Sequence, residues 1–197
     1  MYPLLTEASQ KDLVLASRSP RRFDLLTDMG FEFEVLPADE KAEEGIDHND
    51  PHGLPEIVAK RKCDQVAAKR PDSIVVAADT VVIVDGQILN KPADDGEARR
   101  YLRRLSGRTH EVVTGVVIQR RRDGIELAAS ETTRVTFREL AEEEIDAYVA
   151  TGEGRDKAGS YAVQGLGAGL IRSIEGCYYN VVGLPVALLC ELLRKIG

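Results

Sequence analysis

Leu13-Val14-Leu15-Ala16-Ser17-Arg18-Ser19-Pro20-Arg21-Arg22 decides the fold class. An apolar run stops at a polar turn, and a helical pattern carrying Leu25 and Leu26 follows as far as Gly30. A strand that passes through a turn into a helix opens an α/β unit, and the pattern recurs downstream. Phe31, Phe33 and Val35 alternate with glutamates, which predicts a half-buried strand. Pro37 to Leu54 is a polar, acidic loop, long enough to suggest function. Pro55 to Lys69 predicts a helix with Ala59, Cys63 and Val66 on one face. Ile74-Val75-Val76-Ala77-Ala78 is then a fully apolar strand that ends at Asp79-Thr80.

Val81 to Val84 and Gln87 to Leu89 read as a hairpin across Asp85-Gly86. Asn90-Lys91-Pro92 leads into a helix with Ala98, Tyr101, Leu102 and Leu105 inward. Long strands are predicted at Glu111–Arg120 and Ile125–Phe137, joined through Asp123-Gly124, and a helix at Ala141–Thr151. Further strands are expected near Leu170–Ile174 and Tyr178–Val182, and Pro185 opens a terminal helix. Helices alternate with strands while hairpins are mixed in, so the class is α/β with a mixed sheet.

A length of 197 residues with 43% apolar content suits one domain over 1–197, with lobes expected at roughly 1–105 plus 170–197, and 106–169. Against 26 basic residues stand 33 acidic ones, and the net charge of −7 has the wrong sign for coating polymer DNA or RNA. No stretch approaches the ~20 apolar residues of a membrane helix, and the start lacks the pattern of a signal peptide, so a cytoplasmic protein is expected. Cys63, Cys177 and Cys190 are isolated, which suggests neither disulfides nor zinc, and they read as small core residues. His48 and His52 stand four apart, but Pro51 and Gly53 break the helix that would align them on a metal.

Ser17 to Arg22 sits where a strand gives way to a helix, so backbone N–H groups, two hydroxyls and guanidinium forks can face one anion; the plainer reading is a serine cap with solvated arginines. No Walker loop is present, and Gly165-Leu166-Gly167-Ala168-Gly169 lacks the spacing of a dinucleotide fingerprint. Asp79, after five apolar residues, is costly to bury unless it binds metal, pairs with a cation or lines a pocket; a turn-forming aspartate is the alternative. Glu40 lies in the acidic loop, where solvated glutamates are common. Lys91, stiffened by Pro92, and Lys62, on the helix after the acidic loop, suit phosphate oxygens or water equally. Gln164 carries a donor and an acceptor that suit a base edge or a structural bond. Arranged cations beside carboxylates able to hold a hard cation point to metal-assisted phosphate ester or anhydride chemistry.

Leu15 to Arg22, Ala78-Asp79-Thr80, Asn90-Lys91-Pro92, Leu105 to His110, Asp156 to Gly165 and Val182 to Pro185 together resemble the Maf family of nucleoside triphosphate pyrophosphatases, in order and over nearly the whole chain. The resemblance implies a two-lobed mixed α/β fold like that of the inosine triphosphate pyrophosphatases, with the active site in the cleft between lobes, and a possible homodimer. It implies Asp79 as proton acceptor and Glu40, or neighbouring Asp39 or Glu43, as the acidic loop residue of metal binding and catalysis. Lys91 joins Asp79 and Glu40 in the catalytic set. Arg21, Arg22, Lys62 and Lys91 are then expected to face the triphosphate, Ser17 and Ser19 to hold it, and Arg21, Thr80 and Gln164 to select the base. The cofactor implied is Mg²⁺ or Mn²⁺ on Glu40 and Asp79. Ser-Pro-Arg-Arg, Ala-Asp-Thr and Ala-Val-Gln-Gly follow the subgroup acting on dTTP and UTP rather than on 7-methyl-GTP. Ala77 stands where the family pattern has Gly. The alternative from another class is a non-catalytic, nucleotide-binding regulator of septum formation.

Overall fold

The computed structural model describes residues 2–39, 42, 45–46 and 50–196. Strand β1 (Leu13–Leu15) feeds helix α1 (Pro20–Asp28), then β2 (Phe33–Val35), α2 (Leu54–Lys69), β3 (Ile74–Val84), β4 (Gln87–Leu89) and α3 (Asp95–Leu105). Strands β5 (Thr109–Arg120) and β6 (Ile125–Phe137) follow, then α4 (Glu142–Thr151), β7 (Ile171–Glu175), α5 (Tyr178–Val182) and α6 (Val186–Arg194). The strands lie in the order β2-β1-β3-β5-β6-β7, with β4 on β3. Strand β1 runs parallel to both β2 and β3, while the β3–β4 and β6–β7 pairs are antiparallel, so the sheet is mixed as expected.

Two compact units divide the chain: Met1–Asp79 with Thr114–Glu131 and Gly183–Gly197, and Thr80–Val113 with Thr132–Val182. The divisions fall inside β3, β5 and β6. Strands of eleven to thirteen residues serve both units.

In the first unit the core joins β1, α2, β3 and β5 through Val14, Ala16, Ala59, Cys63, Val66, Val75, Ala77 and Val117. Gly115 makes the packing of β5 on α2 possible, since a Cβ there would stand 2.3 Å from the backbone nitrogen of Glu56. Cys63 is buried with its thiol 3.4 Å from the Val75 carbonyl, and burial pushes that thiol up, the state of an inert core cysteine.

In the second unit α3 is capped by Asp94, whose side chain accepts from the Glu97 N–H at 2.7 Å while Glu97 accepts from the Ala93 N–H at 2.8 Å. Its inward residues Ala98, Leu102 and Leu105 join Val82, Val84, Phe137, Ile145 and Tyr148 in the core. His110, Phe137 and Tyr161 meet edge to face at centroid distances of 4.8 to 5.3 Å, and His110 Nε2 shares a 2.7 Å hydrogen bond with the Tyr161 hydroxyl.

Burial pushes the His110 imidazole down from 6.5 to about 4, so its neutral form belongs to the fold. Above pH 6.5 this costs nothing. As pH falls from 6.5 through 4 the unfolded chain binds the proton first, and stability is lost by about 3 kcal/mol in full. Urea denaturation at pH 7.5 and 4.5 tests this: His110→Gln should lose about 2 kcal/mol less than wild type between the two, and equal losses would exclude His110 as the source.

Two sequence expectations are corrected. Tyr178–Val182 is a short helix and not a strand. Its aromatic and β-branched residues favour a strand locally, but fully buried Asn180 donates to the Val112 carbonyl and to Thr133 Oγ1, each at 2.9 Å, and this bonding overrides propensity. Asp79 does not end its strand, because β3 continues without a break from Ile74 to Val84.

Candidate active site

Along β3 every residue is buried except Asp79 and Thr80 at its middle. A carboxylate in such a strand needs a partner, and α2 supplies it: Lys62 Nζ donates to Asp79 Oδ1 at 2.8 Å, with the two side chains 14% and 19% exposed. The pairing reaches across 17 positions of sequence, from a helix whose neighbouring Ala59, Cys63 and Val66 are buried. Lys62 is thereby fixed by the packing of α2, and Asp79 by that of β3.

Beyond Leu15 the chain turns at Ser17 into α1. The Ala16 N–H still donates to the Val76 carbonyl at 2.8 Å, which ties the turn to β3 three residues before Asp79. Ser17 is buried, and its Oγ accepts from the Ser19 N–H at 3.1 Å and from Arg22 Nη1 at 3.2 Å. Arg22, also buried, spends its Nε on the carbonyl of Gly183 at 2.8 Å. The guanidinium thus braces the turn against the segment before α6. Arg21 is only half-buried, and α1 opens with Pro20 at its start and no acidic residue in its first turn, so its positive end is uncompensated by the helix itself. Ser19, at the helix cap, makes no capping bond with its side chain.

The structure therefore brings Ser17, Ser19 and Arg22 together, and joins Lys62 to Asp79, within the first unit. Thr80, Lys91 and Gln164 belong to the second. Thr80 follows Asp79 on β3, Lys91 is exposed in the loop after β4, and Gln164 is exposed at the start of a 3₁₀ turn over Gly165–Leu170. Glu40, its neighbour Glu43 and His48 lie outside the described residues. Among the described residues no three His, Cys, Asp or Glu side chains gather as a metal cluster, and no helix is long and apolar enough to cross a membrane.

Sequence reasoning missed Glu153. In the loop after α4, its carboxylate accepts from the Leu166 N–H at 2.9 Å, from the Gly167 N–H at 2.8 Å and from the Tyr148 hydroxyl at 2.8 Å. Only the paired glycines at 165 and 167 hint in sequence that something must approach that backbone closely.

Strand β1, parallel to both its neighbours and turning directly into a helix, makes this an α/β protein, with a lysine-paired carboxylate on the adjacent strand. Its fold is shared with the Staphylococcus aureus Ham1 protein, at a TM-score of 0.54 and 16% identity, covering 95% of this chain and 100% of that one. Residues 12–196 match the family described as Maf-like protein, and the chain belongs to that family. A dTTP/UTP pyrophosphatase of Pelotomaculum thermopropionicum is 47% identical over 95% of this chain and 97% of that protein. Another dTTP/UTP pyrophosphatase, from Symbiobacterium thermophilum, is 48% identical over 95% of each.

Proposed function

We propose that this protein hydrolyses dTTP and UTP to the nucleoside monophosphate and pyrophosphate. The observation that carries the reading is the Asp79–Lys62 pair, opened to solvent at the middle of a buried strand beside the Ser17–Arg22 turn. The names of the two bacterial relatives supply the substrates.

Water attacks the α-phosphorus, the bond from that phosphorus to the bridging oxygen of pyrophosphate breaks, and Asp79 takes the proton of the attacking water. Lys62 holds the carboxylate in orientation. Arg21, the start of α1 and Lys91 offset the charge that develops on the leaving pyrophosphate. Arg22 acts one step back, by holding Ser17 and the turn. Thr80 and Gln164 contact the base.

A divalent cation, Mg²⁺ or Mn²⁺, suits this donor set: Asp79 offers a hard carboxylate oxygen, and such ions are held by one or two carboxylates together with substrate phosphates and water. Asp79, with Glu40, would hold the ion. When bound, it supplies charge neutralisation at the phosphate oxygens. A cytoplasmic location suits a nucleoside triphosphate substrate.

The test is pyrophosphate release from dTTP, UTP, CTP and 7-methyl-GTP, with Mg²⁺, Mn²⁺ or a chelator. Metal-dependent release from dTTP and UTP is expected. Release from 7-methyl-GTP alone would overturn the base assignment, and silence across the panel would leave a nucleotide-binding protein without this activity.

A further inference from the structure

Gln164 sits in a loop that has little of its own to hold it, because Gly165 to Gly169 contains three glycines and Gln164 itself is exposed. The loop is nonetheless held on both sides. Ahead of Gln164, the Ala162 N–H donates to the Tyr148 hydroxyl at 3.1 Å; beyond it, the Leu166 and Gly167 N–H groups donate to Glu153. Tyr148 in turn donates to Glu153 at 2.8 Å, so one carboxylate closes the ring around Gln164. The fit leaves no slack: a Cβ on Gly165 would stand 2.3 Å from Glu153 Oε1, and one on Gly167 would stand 2.8 Å from the Tyr148 hydroxyl. Glu153 is itself anchored, since its carbonyl accepts from Lys157 Nζ at 2.5 Å and its N–H donates to Thr151 Oγ1 at 3.2 Å. Burial alone raises its carboxyl, but the bonds from Leu166, Tyr148 and Gly167 outweigh that and hold it below the usual carboxylate range.

We propose that Glu153 is the positioning residue for base selection: its carboxylate shapes the 162–167 loop so that the Gln164 amide meets the pyrimidine edge in one orientation. This deepens the pyrophosphatase reading and rests on it. A base edge is discriminated only if the amide's donor and acceptor are presented the right way round, and a glycine-rich loop without a central acceptor populates many presentations. Glu153→Gln keeps size but puts an NH₂ where one of three donors must be accepted, so the ring opens at one point.

The experiment compares wild type, Glu153→Gln, Gln164→Ala and the double variant, with kcat and KM for dTTP, UTP and CTP. It also follows amide hydrogen exchange at Ala162, Leu166 and Gly167. Each single variant should cut the kcat/KM preference for dTTP over CTP about tenfold through KM, with kcat within about twofold, and the double variant should do no worse than either. Exchange at the three amides should rise at least about tenfold in Glu153→Gln. Tyr148→Phe, which removes one hydroxyl, should move preference the same way by a smaller factor, and decides the matter if Glu153→Gln does not fold. A purely structural glutamate would lower kcat and melting temperature with the base preference unchanged, and that result overturns the proposal. If Gln164→Ala leaves the base preference unchanged, the amide does not read the base, and that result also overturns the proposal. A wild-type protein inert on every nucleotide overturns the pyrophosphatase reading, and the positioning role of Glu153 with it.

Discussion

Asp79→Asn should lower kcat about a thousandfold, some 4 kcal/mol of barrier, while KM for dTTP stays within about threefold. Asparagine fills the same space at the middle of β3 and its amide oxygen still accepts a hydrogen bond from Lys62, so the strand and the hydrogen bond survive while the ion pair is lost. It cannot take a proton from water at neutral pH. Steady-state pyrophosphate release and an equilibrium titration with a non-hydrolysable nucleotide separate the two quantities. Lys62→Met supplies the control. If Asp79 serves only as the acidic half of an ion pair, removing either member should cost the same; if Asp79 accepts the proton, Lys62→Met should cost only about ten- to a hundredfold, through loss of the carboxylate's orientation. A turnover within tenfold of wild type in Asp79→Asn removes this residue from the proton transfer.

Asp79 was legible from burial cost, since a carboxylate behind Ile74–Ala78 demands an explanation in any fold. What it pairs with was not legible. Lys62 and Asp79 are 17 residues apart on different elements, and no helical or strand period relates them. The continuity of β3 was hidden for a related reason: a charged residue inside an apolar run looks like a strand end unless the partner that compensates it is known. Elements with strong periodicity were readable, as α2 and the β5–β6 pair show, because their apolar faces repeat over many residues. Tyr178–Val182 went the other way, since five residues carry too little pattern to outweigh the hydrogen bonds of one buried asparagine. The Glu153 ring escaped notice because its donors are backbone groups, which every residue has.

Adjacent arginines 21 and 22 are the clearest case of two like residues with unlike work. Successive helical positions differ by about 100°, so if one faces inward the other does not. Arg22 is the inward one, buried, with Nε on the Gly183 carbonyl and Nη1 on Ser17 Oγ. Hydrogen bonds from a charged donor are worth about 1.5 to 3 kcal/mol each, and truncation would leave a buried carbonyl and hydroxyl to find other partners. Arg22→Ala should therefore destabilise by about 4 kcal/mol and lower the melting temperature by about 12 °C. Arg22→Lys should recover less than half of this, because an ammonium cannot reproduce the fork that spans Ser17 and Gly183. Arg21→Ala should leave the melting temperature within about 3 °C and instead raise KM for dTTP about tenfold, with the effect shrinking as salt rises. Calorimetry and kinetics on the three variants decide it. Equal melting temperatures for Arg21→Ala and Arg22→Ala would deny Arg22 its bracing role and return both arginines to the phosphate.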